Sequence, residues 1–515
     1  MKHPVFFFLT FSLLFLSCSE KIPENAREQS ASVSISPDYD QITIPRNIAP
    51  LNFLINEKAQ KYKVVIYSSK GSKIFSNGQK ACFPVKKWKK LLMENQGDTL
   101  KIDIYLQKDE QWMKYPTIKN YIAPETIDDF ISYRLIEPSY VTYERLSINQ
   151  RNLTNFDEKV IYSNGKLAAG DKEQCINCHN YRNYNQTGDW QFHVRHHLGG
   201  TIIVRDQTIK KVNLKTDYTI SAGVYPSWHP TENVIAYSTN QTGQKFHTRD
   251  NQKIEVMDSE SALILYDLNK NEIRMIANDS TQLETFPSWS PDGKFLYYAS
   301  ATYPEGVSKL SEDLYSHYNQ FLYNIYRKSF DPGNHEFLSM DTVFNASELD
   351  KSATFPRVSP DGQYLLFTLA DYGNFHIWHQ SSDLYLMNLQ NGNVRELSEL
   401  NSPAAESYHS WSSNGKWIIF SSRRDDGSYT KLYIAYIKDG KAGKPFILPQ
   451  SDPDFYSVFF KSYNIPEFMV KPVRVSSAQI ARAVKKNPVP VRFNDEKVKK
   501  ATINQAQEDG DNIYE

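Results

Sequence analysis

Phe286 to Ala301 reads "FPSWSPDGKFLYYASA". An aromatic-Pro pair leads into Trp289, and Asp292-Gly293 supplies the positive φ that a tight hairpin needs. The chain then returns as a short apolar strand. The same arrangement recurs in "YPSWHPTENVIAYSTN" from Tyr225, "FPRVSPDGQYLLFTLA" from Phe355 and "YHSWSSNGKWIIFSSR" from Tyr408. Trp228, Trp289, Val358 and Trp411 are equivalent, at intervals of 61, 69 and 53. A second strand pair follows each repeat, as in "ALILYDLNKNEIRMIAN" and "DLYLMNLQNGNVREL". Four strands per unit at such intervals read as the blades of a β-propeller.

The "SWSPDGK-apolar-S" signature resembles the repeats of TolB-type β-propellers, from roughly Tyr225 to Phe460. That resemblance implies an all-β propeller of five or six blades, set here at 139–470. One repeat upstream lies "CINCHNYRNYNQTGDWQFHVRHH", which makes Trp190 to Arg195 a second strand and "GGTIIVRDQTIKKVNL" the third and fourth. Cys178-His179 then falls close to the Trp-Ser of later blades. A sixth blade is expected from both ends, using "ERLSINQRNLTNFDEKVIYSNG" and the strand near "FYSVFFKSY". Such closure removes exposed edges.

Before the propeller, 40–138 is rich in period-two strands such as "YKVVIYSS" and "DTLKIDIYLQ". It reads as an immunoglobulin- or fibronectin-like β-sandwich. The N-terminus, "MKHPVFFFLTFSLLFLSCSEK", has Lys2, an apolar run too short to span a bilayer, and Cys18 after a small residue. It resembles a bacterial lipoprotein signal (1–18) with an acylated Cys18. A polar tether (19–39) follows, and Ser19 favours the outer membrane, facing the periplasm or the outside. The tail, 471–515, is polar, with a short helix near Ala478 to Lys485. Lys+Arg and Asp+Glu both number 59. That balance gives no reason to expect nucleic acid as a partner.

Cys175-Ile176-Asn177-Cys178-His179 carries the Cys-x-x-Cys-His pattern of c-type haem attachment. Two thiols at this spacing can add to one porphyrin edge, with His179 as an iron ligand. A redox pair, a zinc site and a strained disulfide are the competing readings. Candidates for a sixth ligand are His247 first, then His197 or His196, then Met257, with His193 and Met275 behind. Cys82 reads as a buried thiol. No Gly-x-Ser-x-Gly elbow occurs, and the stretch after Phe460 is too short for a hydrolase domain. The expected function is a membrane-anchored cytochrome-like lipoprotein with one covalent haem, passing electrons to a protein partner. The alternatives are an envelope binding or assembly module without functional haem, and a haem sensor or enzyme. An electron carrier or binding module is favoured over an enzyme.

Overall fold

The hairpin turns are built from the quoted signature. Ser290 Oγ donates to Asp292 at 2.6 Å and accepts from the Phe295 N–H at 3.0 Å, which folds the chain back over Gly293 at φ 71°. Ser359 with Asp361 and Tyr364, and Ser412 with Asn414 and Trp417, repeat both bonds. The computed structural model describes residues 21–137, 145–167, 174–247, 252 and 254–494.

Six four-stranded blades surround one axis. The inner strands of blades 1 to 5 are Gln174–Tyr181, Val224–Trp228, Gln282–Trp289, Ser352–Val358 and Glu406–Trp411. Three strands lie outside each, in chain order, the outermost of blade 5 being split into Lys441–Ala442 and Phe446–Ile447. Blade 6 closes the ring from both ends: its inner strand is Ser462–Met469, and Phe130–Ile136, Ser147–Asn152 and Glu158–Ser163 lie outside it. Of the five or six blades expected, six are present, and the second, third and fourth strands of blade 1 lie where the sequence places them. The propeller takes Phe130–Ile136, a strand placed in the N-terminal region from sequence.

Adjacent blades are joined through the repeated tryptophans. Trp289 Nε1 donates to the Ser227 carbonyl at 3.1 Å, and Trp411 Nε1 donates to the Arg357 carbonyl at 3.1 Å. Trp228, Trp289 and Trp411 are all buried between blades, where large aromatic rings contribute most to packing.

Three expectations are corrected. Residues 471–494 are not a free polar tail but outer wall of the propeller. Ser477–Val484 is a helix with a Ser476/Gln479 capping box and buried Ile480 and Val484. Val489–Pro490 and Arg492–Phe493 then pair in parallel with the outer strands of blades 1 and 2. The N-terminal region is strand-rich in two sheets, but it contains the helix Val85–Glu94 and two parallel pairings. These depart from the antiparallel pairing of an immunoglobulin-like sandwich. The region also takes in part of the expected tether: Arg27–Glu28 and Ile35–Ser36 pair into its sheets, with Val33, Ile35 and Tyr39 buried. No described helix is long and apolar enough to cross a membrane. Cys18, its signal and 495–515 lie outside the described residues.

Candidate functional site

Each inner strand breaks its ladder at the same point. The registers slip between Asn177 and Asn180, Val224 and Ser227, Thr285 and Ser288, Thr354 and Arg357, and Ser407 and Ser410. Blade 6 slips between Ser132 and Arg134, opposite Glu467 and Asn464. These are β-bulges, which re-aim side chains. At each bulge one residue other than glycine is left-handed, with φ from 47° to 54°: Cys178, Tyr225, Phe286, Phe355, Tyr408 and Ile465. For bulky residues this is unusual, costing about 1–3 kcal/mol each, and it persists only where packing over-determines it.

Packing at the axis does so. Successive rings meet at centroid distances of 4.6 Å (Tyr225–Phe286), 4.1 Å (Phe286–Phe355) and 5.0 Å (Phe355–Tyr408). Cys178 and Ile465 stand at the two remaining places. The Cys-x-x-Cys-His segment is therefore the inner strand of blade 1. Cys178 replaces an aromatic residue and His179 replaces the proline of Pro226, Pro287, Pro356 and Pro466. The position of the later Trp is taken by Tyr181, three residues beyond the expected alignment.

This placement does not fit a covalently attached porphyrin. Cys175 and Cys178 are both buried and lie in different cores. Cys175 packs between blades 6 and 1 and accepts from Arg195 Nη2 at 2.7 Å. Cys178 faces the axial cluster, where burial pushes its thiol up to about 12. The cavity beside His179 is about 40 Å³, far below the roughly 300–1,000 Å³ of sites for drug-sized ligands. Cys82, expected to be buried, is exposed.

Nor do the sixth-ligand candidates meet His179, since none of them lines its cavity. His196 pairs with Gln174, five residues before His179, or roughly 16 Å along a strand. His197 is exposed beside it. His193 is a core histidine, bonded to Thr201 at 3.1 Å. His247 packs against Tyr318 at 5.6 Å. Met257 pairs with Gly243 in the long hairpin of blade 2, and Met275 lies on that blade's outer strand.

The cavity at the axis is lined by His179, Arg357, His409, Ser410 and Glu467 below the aromatic ring. His179 is 2% exposed, and neither ring nitrogen makes a hydrogen bond of good geometry, although the Ile465 backbone lies close enough to act weakly on the ring. Burial, then the Arg134 charge, brings its pKa down to about 3, so the ring is neutral. His409 Nε2 reaches the Leu366 carbonyl at 3.2 Å, and Nδ1 makes no hydrogen bond of good geometry, although the Phe355 backbone also acts on the ring. Because a carbonyl only accepts, Nε2 carries the proton and Nδ1 is an acceptor. Ser410 Oγ is unpartnered as well. Glu467 accepts from Asn180 Nδ2 at 2.8 Å and from the Tyr181 N–H at 3.2 Å. Burial pushes its carboxyl up to about 7. Arg357 faces the same space, and burial lowers its pKa. Sequence reasoning missed Arg357, Ser410 and Glu467. Each stands two residues past its bulge, where blades 2 and 3 carry Ser227 and Ser288.

The long hairpin of blade 2, Val234–Phe246 and Ile254–Asp267, reaches across to blade 4. Glu255 on it pairs with His379 of blade 4 at 3.2 Å, both side chains being almost fully buried. Asp258 is held by Asn240 at 2.8 Å, by Asn374 at 2.7 Å and by Thr242.

Residues 216–461 match the family model described as the prolyl oligopeptidase N-terminal β-propeller domain. That match supports the propeller and overturns the cytochrome reading, since it falls on a peptidase-type propeller. Among the described residues no cluster of three or more His, Cys, Asp or Glu is placed to hold a metal ion. No curated protein sequence matches. Among solved structures, one reported with the analysis of two prolyl endopeptidases is similar at 10% identity and TM-score 0.34, over 64% of this chain and 51% of that one. A puromycin-hydrolyzing peptidase of Mycobacterium tuberculosis is similar at 10% and 0.37, over 61% and 46%. The β-propeller domain of the trilobed protease from Pyrococcus furiosus is similar at 11% and 0.31, over 75% and 98%. The chain spans about half the length of the first two.

Proposed function

We propose that this chain is a binding protein whose propeller holds a small ligand at its axis, between His179, Arg357 and His409. The observation that carries this reading is His179. A buried imidazole whose nitrogens make no hydrogen bond of good geometry costs about 1–3 kcal/mol for each unmade bond. Proline, which avoids that cost, stands at the equivalent place in four blades. The arrangement makes physical sense when a ligand completes the bonds. The export-type N-terminus supports placing this binding outside the cytoplasm, with an acylated Cys18 as the membrane anchor.

The test works without the ligand being identified. Natively purified protein is denatured, its small molecules are collected, and the protein is refolded without them. Returning the collected fraction is expected to raise the thermal midpoint of the wild type and not that of His179→Leu. An unchanged wild-type midpoint contradicts the proposal.

A further inference from the structure

We infer that the axial cavity takes a small carboxylate, free or at the end of a larger molecule; this rests on the binding reading above. Three observations point to this class of ligand.

The first is charge. Arg357 lines the cavity half-buried, and the charge of Glu467 acts on its guanidinium from beyond ion-pair distance. Arg134 lies close enough for its charge to act on Cys178, His179 and Tyr408. Its own bonds go to neutral oxygens, the Ile176 carbonyl at 3.3 Å and Asn464 Oδ1 at 3.1 Å. The carboxylate facing them on the lining is Glu467, already occupied by Asn180 and the Tyr181 N–H. Two half-buried guanidiniums facing one carboxyl leave net positive charge, which a bound anion offsets.

The second is geometry. Arg357 and Glu467 share the cavity without forming a direct ion pair, so space remains between them. A guanidinium offers a planar fork that a carboxylate accepts with both oxygens. Neutral His179 carries one N–H, and the Ser410 hydroxyl supplies a further donor. His409 Nδ1 and the second nitrogen of His179 are acceptors, which suits a carboxylate that arrives with a bound water or a hydroxyl beside it.

The third is size. About 40 Å³ is room for a few waters, since one needs roughly 10–15 Å³ on this measure. That admits the head of a carboxylate, while the rings of Tyr225, Phe286, Phe355 and Tyr408 offer apolar wall to a short carbon tail.

The probes are acetate, acetamide and inorganic phosphate, each added to protein refolded free of small molecules, at constant ionic strength in chloride. Acetate is expected to raise the thermal midpoint and to show saturable line broadening of its labelled methyl signal in NMR. Acetamide, its neutral isostere, is expected to do neither, and phosphate to bind more weakly than acetate. Arg357→Gln is expected to weaken acetate about tenfold or more, the loss of one charge-assisted contact. Should that variant fail to fold, Ser410→Ala provides the second arm, with a smaller weakening expected. Equal binding of acetamide, or tighter binding of phosphate, overturns the carboxylate class. So does an absence of acetate binding while the collected native fraction still stabilises the protein, an outcome that leaves the binding reading standing. If neither acetate nor that fraction stabilises the wild type, both readings fall.

Discussion

His179 in blade 1 and His409 in blade 5 stand at the same place in their blades, one residue past the left-handed bulge, where the other four blades have proline. They differ in one well-formed bond: His409 Nε2 is held by the Leu366 carbonyl at 3.2 Å, whereas the His179 ring has only a weak approach to the Ile465 backbone. His179→Pro is therefore expected to fold with ligand-free stability equal to the wild type, or higher by about 0.4–1 kcal/mol through reduced chain entropy. His409→Pro should lose about 1 kcal/mol or more with its hydrogen bond. Urea denaturation of refolded, ligand-free protein compares them. A greater loss at His179 would show that its ring holds the blade rather than a ligand.

The tryptophans give a graded test of blade packing. Trp289 and Trp411 donate to the preceding blade, while the Trp228 indole N–H has no partner. Alanine at Trp289 or Trp411 should cost about 3–5 kcal/mol. Phenylalanine at either should cost more than Trp228→Phe, by about 1 kcal/mol for the lost hydrogen bond. Equal costs at the three positions would show that the inter-blade bonds add nothing.

Glu467 sets a pH dependence. Its carboxyl rises from 4.5 to about 7 on folding, chiefly through burial. The folded state then binds its proton more tightly than the unfolded state does. Measured against Glu467→Gln, the wild type should lose stability as pH rises from about 4.5 to about 7, by roughly 3 kcal/mol at most, and level off above. Asp258, Glu284 and Asp383 are also raised by burial, but they are common to both proteins and cancel in the difference. A flat difference across that window contradicts the buried placement of Glu467.

Thiol reactivity separates the strand from a haem-attachment loop. In a chain lacking residues 1–20, a maleimide should label Cys82 rapidly, because it is exposed. Cys175 and Cys178 are buried in two cores and should react only as the propeller unfolds. Rapid native labelling of Cys178 would remove it from the axial ring.

The blades were legible because their signature is a mechanism. Ser-Pro-Asp-Gly builds its own turn, and an aromatic residue follows at a fixed offset. Blade 1 was legible to within three residues, and the error came from the Cys-x-x-Cys-His pattern. Aligned with "SYHSW" at 407–411, "NCHNY" at 177–181 shows the same histidine between the bulge residue and the outer-facing positions. The bulge itself is hard to read, because its left-handed residue is never glycine and the cost is met by contacts across the axis. The inner strand of blade 6 carries the same spacing in "NIPEF" at 464–468. The cavity was not legible, because Arg357, Ser410 and Glu467 come from three blades and converge only when the ring closes. The C-terminal wall was missed because its strands are two residues long and pair by position rather than by hydrophobic period.

The most direct measurement is a high-resolution crystal structure of natively purified protein that has never been refolded. The account predicts non-protein density within hydrogen-bonding distance of both His179 and Arg357, planar and carboxylate-sized, beneath the ring of Phe286 and Phe355. An axis in which Arg357 turns to pair directly with Glu467 and His179 bonds only to protein would contradict it.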